Sequence, residues 1–229
     1  MTKRDIWEIA STAIITISVI GMLGMYLYDR RSRVTGSPEQ HEPDWQTWAE
    51  TGIRIGPDNA GMVIAQFVDF RCPYCSGFAP VLDSVLAAFD GEVALEIHHF
   101  PLASHELAVP TAVAAECADR QGKFRQMYNT LYEQMDSVGR KTWRELAADA
   151  EIGDIPAFEA CIQLPAEQFS RIAAGRALGE RIGITGTPTI YVNGTLSRER
   201  SFVGFQDIAQ ELGVSPSKST PLVPSDGAG

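Results

Sequence analysis

The sequence predicts an α/β domain interrupted by an all-helical subdomain and preceded by one transmembrane helix. Three observations carry that reading. Met62 to Phe70, Pro73 to Phe89 and Glu92 to Phe100 alternate as apolar run, helix-like segment and apolar run. That is the spacing of a βαβ unit, which implies a parallel strand pair. From Pro101 to about residue 183 the apolar residues recur at helical spacing instead. Finally, Ile9 to Tyr28 is twenty residues without a charge. At about 1.5 Å per residue it covers roughly 30 Å, the thickness of a bilayer's hydrocarbon core.

Taken in order, the first 33 residues read as a membrane anchor with its flanks. Trp7, Tyr26 and Tyr28 stand at the ends of the apolar run, where interfacial aromatics belong. A cleaved signal peptide is the alternative. It calls for a shorter apolar region ending in a small-x-small site, whereas this run finishes in Tyr28-Asp29-Arg30-Arg31. Lys3 and Arg4 on one side and Arg30, Arg31 and Arg33 on the other lean toward a cytoplasmic C-terminal domain by flanking charge. The redox chemistry below argues the opposite orientation.

Residues 34–50 read as a linker, with Trp45 and Trp48 as a short helical turn at the domain's edge. The folded domain is expected over 51–212. Ile53 and Ile55 alternate in a short first strand, Met62 to Phe70 is the buried strand, Pro73 to Phe89 the helix and Glu92 to Phe100 the next strand. The helical insertion covers about 101–183. Its stripes are Val113, Cys117, Phe124, Met127, Tyr128 and Leu131; Trp143, Leu146 and Ala147; and Ile155, Phe158, Cys161 and Ile162. A last inserted helix runs from about Pro165 to Arg181. Ile190 to Val192 and Ser201 to Val203 read as two antiparallel strands around the Asn193-Gly194 turn, followed by a closing helix from Phe205 to Leu212. Residues 213–229, rich in Ser, Pro and Gly, read as a disordered tail.

Composition narrows the function. The net charge is −10, and setting aside the first 33 residues removes five basic and three acidic side chains, so the folded part is more acidic still. Such a surface repels phosphate backbones, which argues against nucleic-acid binding. The chemistry sits in Cys72-Pro73-Tyr74-Cys75, a strand feeding a C-x-x-C at a helix start. A zinc site needs two more ligands. Cys117 and Cys161 lie singly on apolar stripes 44 residues apart, and His98 and His99 are adjacent on a strand and face opposite ways. No metal, flavin or nucleotide motif is present, so no cofactor is expected. Cys117 and Cys161 are either a structural disulfide or two buried free thiols.

The pattern resembles the thioredoxin superfamily and, within it, the DsbA-like thiol:disulfide oxidoreductases. Val63 to Val68 leads into Cys72-Pro73-Tyr74-Cys75, and Pro80 lies five residues past the second cysteine. Thr185-Gly186-Thr187-Pro188-Thr189 precedes Ile190-Tyr191-Val192-Asn193-Gly194. His99-Phe100-Pro101-Leu102, Glu116-Cys117 and Gln121-Gly122-Lys123-Phe124 look like the entry and first helices of the family's insertion. The resemblance covers about Ile53 to Leu212. It implies that Cys72 is the exposed attacking thiol and Cys75 the buried resolving one. Pro73 would fix the helix start and Tyr74 tune the potential. Pro188 would be cis against the cysteines, and Thr187 would offer backbone to an extended substrate. Gln66 departs from the pattern: the family often carries a buried acid there as proton acceptor for the resolving thiol. Asp69 and Glu96 are the candidates to replace it, or are solvated or capping carboxylates. A Cys117–Cys161 bond would require an oxidising compartment.

The resemblance implies a membrane-anchored oxidase of cysteine-containing exported proteins, single-pass in the cell inner membrane with its catalytic domain on the periplasmic side. A membrane redox partner would reset the dithiol. An extracytoplasmic reductase or isomerase of the same fold, and a non-catalytic peptide-binding assembly factor, are the alternatives.

Overall fold

The computed structural model describes residues 16–27 and 41–217. Residues 16–27 form a helix, α1, with its apolar side chains exposed. Among the described residues no helix is long and apolar enough to cross a membrane. Both ends of the predicted span Ile9–Tyr28, the first part of the predicted linker and the tail beyond residue 217 lie outside the described residues.

The domain is built on a five-stranded mixed sheet in the order β1-β3-β2-β4-β5. The strands are β1 (Ile53–Ile55), β2 (Met62–Val68), β3 (Val93–His99), β4 (Thr189–Val192) and β5 (Thr195–Ser197). Within this sheet β2 and β3 pair in parallel and the other three pairings are antiparallel. All seven residues of β2 are buried because it is central and covered on both faces. That is why its sequence is an apolar run rather than an alternation.

The two faces carry different cargo. Met62, Ile64 and Val68 join Leu95 and Ile97 under α2 (Pro73–Ala88), with α8 (Phe202–Glu211) beside it. Ala65 and Phe67 look the other way, to Trp48, Phe100, Leu178 and Tyr191. There α7 (Ser170–Arg181) lies down on β3 because two glycines allow it: a Cβ at Gly175 would stand 2.7 Å from the His99 carbonyl oxygen, and one at Gly179 would be 2.6 Å from the Phe100 ring.

Between β3 and β4 the chain forms α3 (Ala108–Asp119), α4 (Phe124–Glu133), α5 (Trp143–Asp149), α6 (Ile155–Ile162) and α7. The helix predicted from Pro165 is a 3-10 turn, Ala166–Gln168, followed by α7 from Ser170. A disulfide joins Cys117 of α3 to Cys161 of α6. A buried ionic group ties the insertion to the sheet. His99 Nε2 lies 2.9 Å from Glu116 Oε1, and Arg171 of α7 donates to both Glu116 oxygens at 2.8–3.1 Å and also to Asp119.

Three boundary readings change. The strand expected at Ser201–Val203 is the start of α8, capped by Ser201 Oγ accepting from the Gly204 N–H. The partner of β4 is Thr195–Ser197, because Asn193 and Gly194 both take positive φ (44° and 78°) and reverse the chain in two residues. The predicted linker 34–50 is packed from His41 on: His41 bridges to Thr195, the Glu42 N–H donates to the Gly194 carbonyl at 2.8 Å, and Trp48 of the 3-10 turn Trp45–Glu50 enters the core. The tail likewise begins later than 213, since Val214 is buried and the Ser217 N–H donates to Ala88.

Candidate active site

The end of β2 delivers the chain to Asp69-Phe70-Arg71 and then to Cys72, the N-cap of α2. Pro73 occupies the first helical position, where its missing N–H costs nothing. Pro80 sits inside the same helix. On the neighbouring side, β4 begins at Thr189, opposite Phe67, so the loop before it arrives beside the helix start. The Thr187–Pro188 peptide is cis, and the Cys72 Sγ lies 3.2 Å from the Thr187 carbonyl oxygen, which the thiol form can use as an acceptor. Strand pairing thus brings together two motifs 115 residues apart in sequence.

Both thiols are free and buried. Cys72 is 2% exposed, so the expectation of an open attacking thiol is corrected: the Thr187 carbonyl lies against its sulfur. Tyr74, by contrast, is 78% exposed and forms the outer surface beside the dithiol.

The electrostatics separate the two sulfurs. A hydrogen bond from Cys75 is the largest cause holding the Cys72 thiol down at about 5. Burial opposes it, while the Thr187 side chain and the backbone N–H groups of Cys75 and Tyr74 add to it. Those N–H groups belong to the first turn of α2, where the helix favours negative charge. Cys75, fully buried, is pushed far up, first by burial and then by the thiolate beside it. One thiol is therefore ionised at neutral pH and its partner is held as a proton donor.

Gln66 is fully buried on the face of β2 that carries Ile64 and Val68, and neither of its amide polar atoms has a partner among the described residues. The carboxylates of the two acids suggested in its place are engaged elsewhere. Glu96 alternates with Leu95 and Ile97, so it faces away from α2; it pairs with Arg54 and stands 3.8 Å from His98. Asp69 is buried rather than solvated, and its carboxylate accepts from the N–H groups of Arg71 (2.7 Å) and Leu102 (2.9 Å) and meets His105 at 2.8 Å. Its role is to hold the Pro101 turn against the Cys72 loop. His105 had no signal in the sequence beyond its polarity. Tyr128, read only as part of a helical stripe, and Tyr132, which no sequence pattern singled out, bury hydroxyls that have no partner among the described residues and lie within electrostatic reach of Cys75. Among the described residues no group of three or more His, Cys, Asp or Glu could hold a metal ion.

Residues 48–210 match the thioredoxin family model. Among solved structures, oxidised BdbD from Bacillus subtilis is 20% identical with a TM-score of 0.62, covering 72% of this chain and 94% of that one. The α-DsbA1 of Wolbachia pipientis is 18% identical with a TM-score of 0.59, covering 70% and 90%. Among curated proteins, the Na(+)/H(+) antiporter NhaA 1 of Mycolicibacterium vanbaalenii is 30% identical over 141 residues, which is 61% of this chain and 23% of that protein. The chain thus spans about a quarter of the length of that relative.

Proposed function

The chain belongs to the thioredoxin family, and from that premise we propose that it is a DsbA-like thiol:disulfide oxidoreductase that oxidises cysteines of exported proteins. The carrying observation is the asymmetric dithiol: Cys72 at the helix N-terminus against Thr187, with Cys75 buried behind it. In the oxidised form, a substrate thiolate attacks the Cys72 sulfur. The Cys72–Cys75 bond breaks, and Cys75 leaves as a thiolate that takes up a proton. A second substrate thiolate then attacks the substrate's own sulfur in the mixed disulfide and releases Cys72 as a thiolate. The substrate loses two electrons and the dithiol gains them.

A thiolate held down at about 5 is a good leaving group and stabilises the reduced form, which supports the oxidising direction. Resetting the dithiol requires a partner that accepts two electrons, a role we assign to a membrane protein. The Cys117–Cys161 disulfide supports an oxidising compartment, and with the uncharged run Ile9–Tyr28 it supports an inner-membrane protein whose catalytic domain faces the periplasm. One of the structural neighbours is a periplasmic thioredoxin-like protein from Salmonella enterica. Na(+)/H(+) antiport stays with the relatives named for it, since the likeness reaches only a part of their length.

Equilibrating the Cys72–Cys75 pair with glutathione tests the direction. A potential toward about −120 mV is expected, and one near about −270 mV would overturn the oxidase reading.

A further inference from the structure

We propose that Arg200 selects substrates, its guanidinium taking a carboxylate that lies close to the reacting cysteine in the substrate chain. The proposal rests on the exchange reading above and names the substrate class it prefers.

Arg200 lies on the loop between β5 and α8 and is solvent-exposed. Its Nη2 donates to the Pro188 carbonyl at 3.3 Å, and its Nη1 donates to the carbonyls of Ser197 (3.2 Å) and Glu199 (2.6 Å). Its Cζ stands 5.5 Å from the centre of the Phe78 ring, on α2 one turn beyond Cys75. One side chain therefore touches the loop that meets Cys72 and the helix that carries both cysteines.

The donor inventory is the decisive point. A guanidinium has five N–H groups. Three of Arg200's are used, all on neutral carbonyls, which leaves the Nε–H and one Nη2–H without a partner among the described residues. Glu199, the nearest acid in sequence, acts on it through space, but its carboxylate does not occupy these two N–H groups. The Glu199 carboxylate instead accepts from the backbone N–H groups of Arg200 and Ser201 and from the Ser201 hydroxyl, at the start of α8. Arg171 shows the contrast, since its guanidinium is consumed by Glu116 and Asp119.

Position then gives the ligand. The Thr187 carbonyl marks where a substrate sulfur must come, and the carbonyl held by Arg200 belongs to the next residue. A segment lying along this loop advances roughly 3.3 Å per residue, so a side chain within about two residues of the substrate cysteine can reach the guanidinium. A carboxylate matches two free N–H groups on a cation better than any neutral group does. On a chain of net charge −10 acidic segments are otherwise repelled, so a local cation decides which of them dock.

The test uses the oxidised full chain and a set of single-cysteine peptides carrying Glu, Gln or Lys at the two positions on either side of the cysteine. The readout is the rate constant of mixed-disulfide formation. The Glu peptides should react about five-fold faster than the Gln peptides, the upper end for a pair at this exposure, and the Lys peptides more slowly than either. The Glu-to-Gln ratio should fall to one in Arg200→Gln, persist in Arg200→Lys and shrink with added salt. A ratio of one in the unaltered protein, or a ratio that survives Arg200→Gln, overturns the proposal while exchange itself stands. Failure of the Gln peptides to react with the unaltered protein would instead remove the exchange reading, and this proposal with it.

Discussion

The two cysteine pairs make the most instructive contrast in the molecule. All four cysteines are buried: Cys72 and Cys75 are 2% and 0% exposed, and Cys117 and Cys161 are 1% and 9%. Burial therefore does not decide which pair is reactive. Cys117 and Cys161 face each other between two helices of the insertion, where their bond closes a separation of 44 residues. Cys72 sits at a helix N-terminus with donors converging on its sulfur, and its partner is the third residue of the same helix. The difference is electrostatic. A structural disulfide is placed to restrict the chain, and a redox dithiol is placed to make one of its thiolates stable.

The contrast can be broken most severely at Cys72. Cys72→Ala should abolish exchange with any thiol partner in an insulin-reduction or glutathione assay. Cys75→Ala should leave a protein that traps mixed disulfides. It should also raise the Cys72 thiol from about 5 toward its ordinary value of 9.0, because the hydrogen bond from Cys75 is the largest cause of the depression. Thiolate absorbance against pH reads this directly: in the unaltered reduced protein the signal should be lost as pH falls through about 5. Replacing both Cys117 and Cys161 with Ala should do the reverse, costing on the order of 4 kcal/mol in denaturant unfolding with exchange and the Cys72 titration retained.

Smaller changes sharpen the same line between stability and chemistry. Gly175→Ala would drive a Cβ into the His99 backbone and should destabilise by about 1–3 kcal/mol without moving the Cys72 titration. Glu116 gives the mildest test. Burial works against its charge, but His99 and Arg171 together hold its carboxyl below the ordinary 4.5. A depressed carboxyl binds fewer protons folded than unfolded, so the stability it lends is present above 4.5 and is lost as pH falls below it. Glu116→Gln should flatten that acid limb in thermal melts recorded between neutral pH and about pH 3.

What could be read in advance follows the range of the interactions involved. The apolar run of β2 and the Cys72-Pro73 helix start are local patterns, and they locate the site within a residue or two. The Asn193-Gly194 turn is legible too, but its partner strand begins six residues before the expected Ser201, because Thr195-Leu196-Ser197 is short and has only one apolar residue in three. Trp48 was visible as an aromatic, yet its burial depends on β4 and on Phe67 arriving from elsewhere. The fates of Asp69, Glu96 and Arg200 are set by contacts 12 to 42 residues away. A sequence pattern ranks such residues as ordinary surface charges. Gln66 lies between these cases: its type shows that no proton is accepted there, but only the fold shows that its amide is left without partners.

The packing of His41 and Glu42 against the β4–β5 turn has a consequence for reach. Asn193 Nδ2 donates to the Gly61 carbonyl, so this turn lies where β2 begins, whereas Cys72 lies where β2 ends. Seven residues of strand at about 3.3 Å each separate the two, which makes the sheet a rigid strut of roughly 20 Å. The polypeptide therefore enters the domain at the pole opposite its dithiol. A tether attached there would hold the domain by its base and aim Cys72 outward, away from whatever surface anchors it.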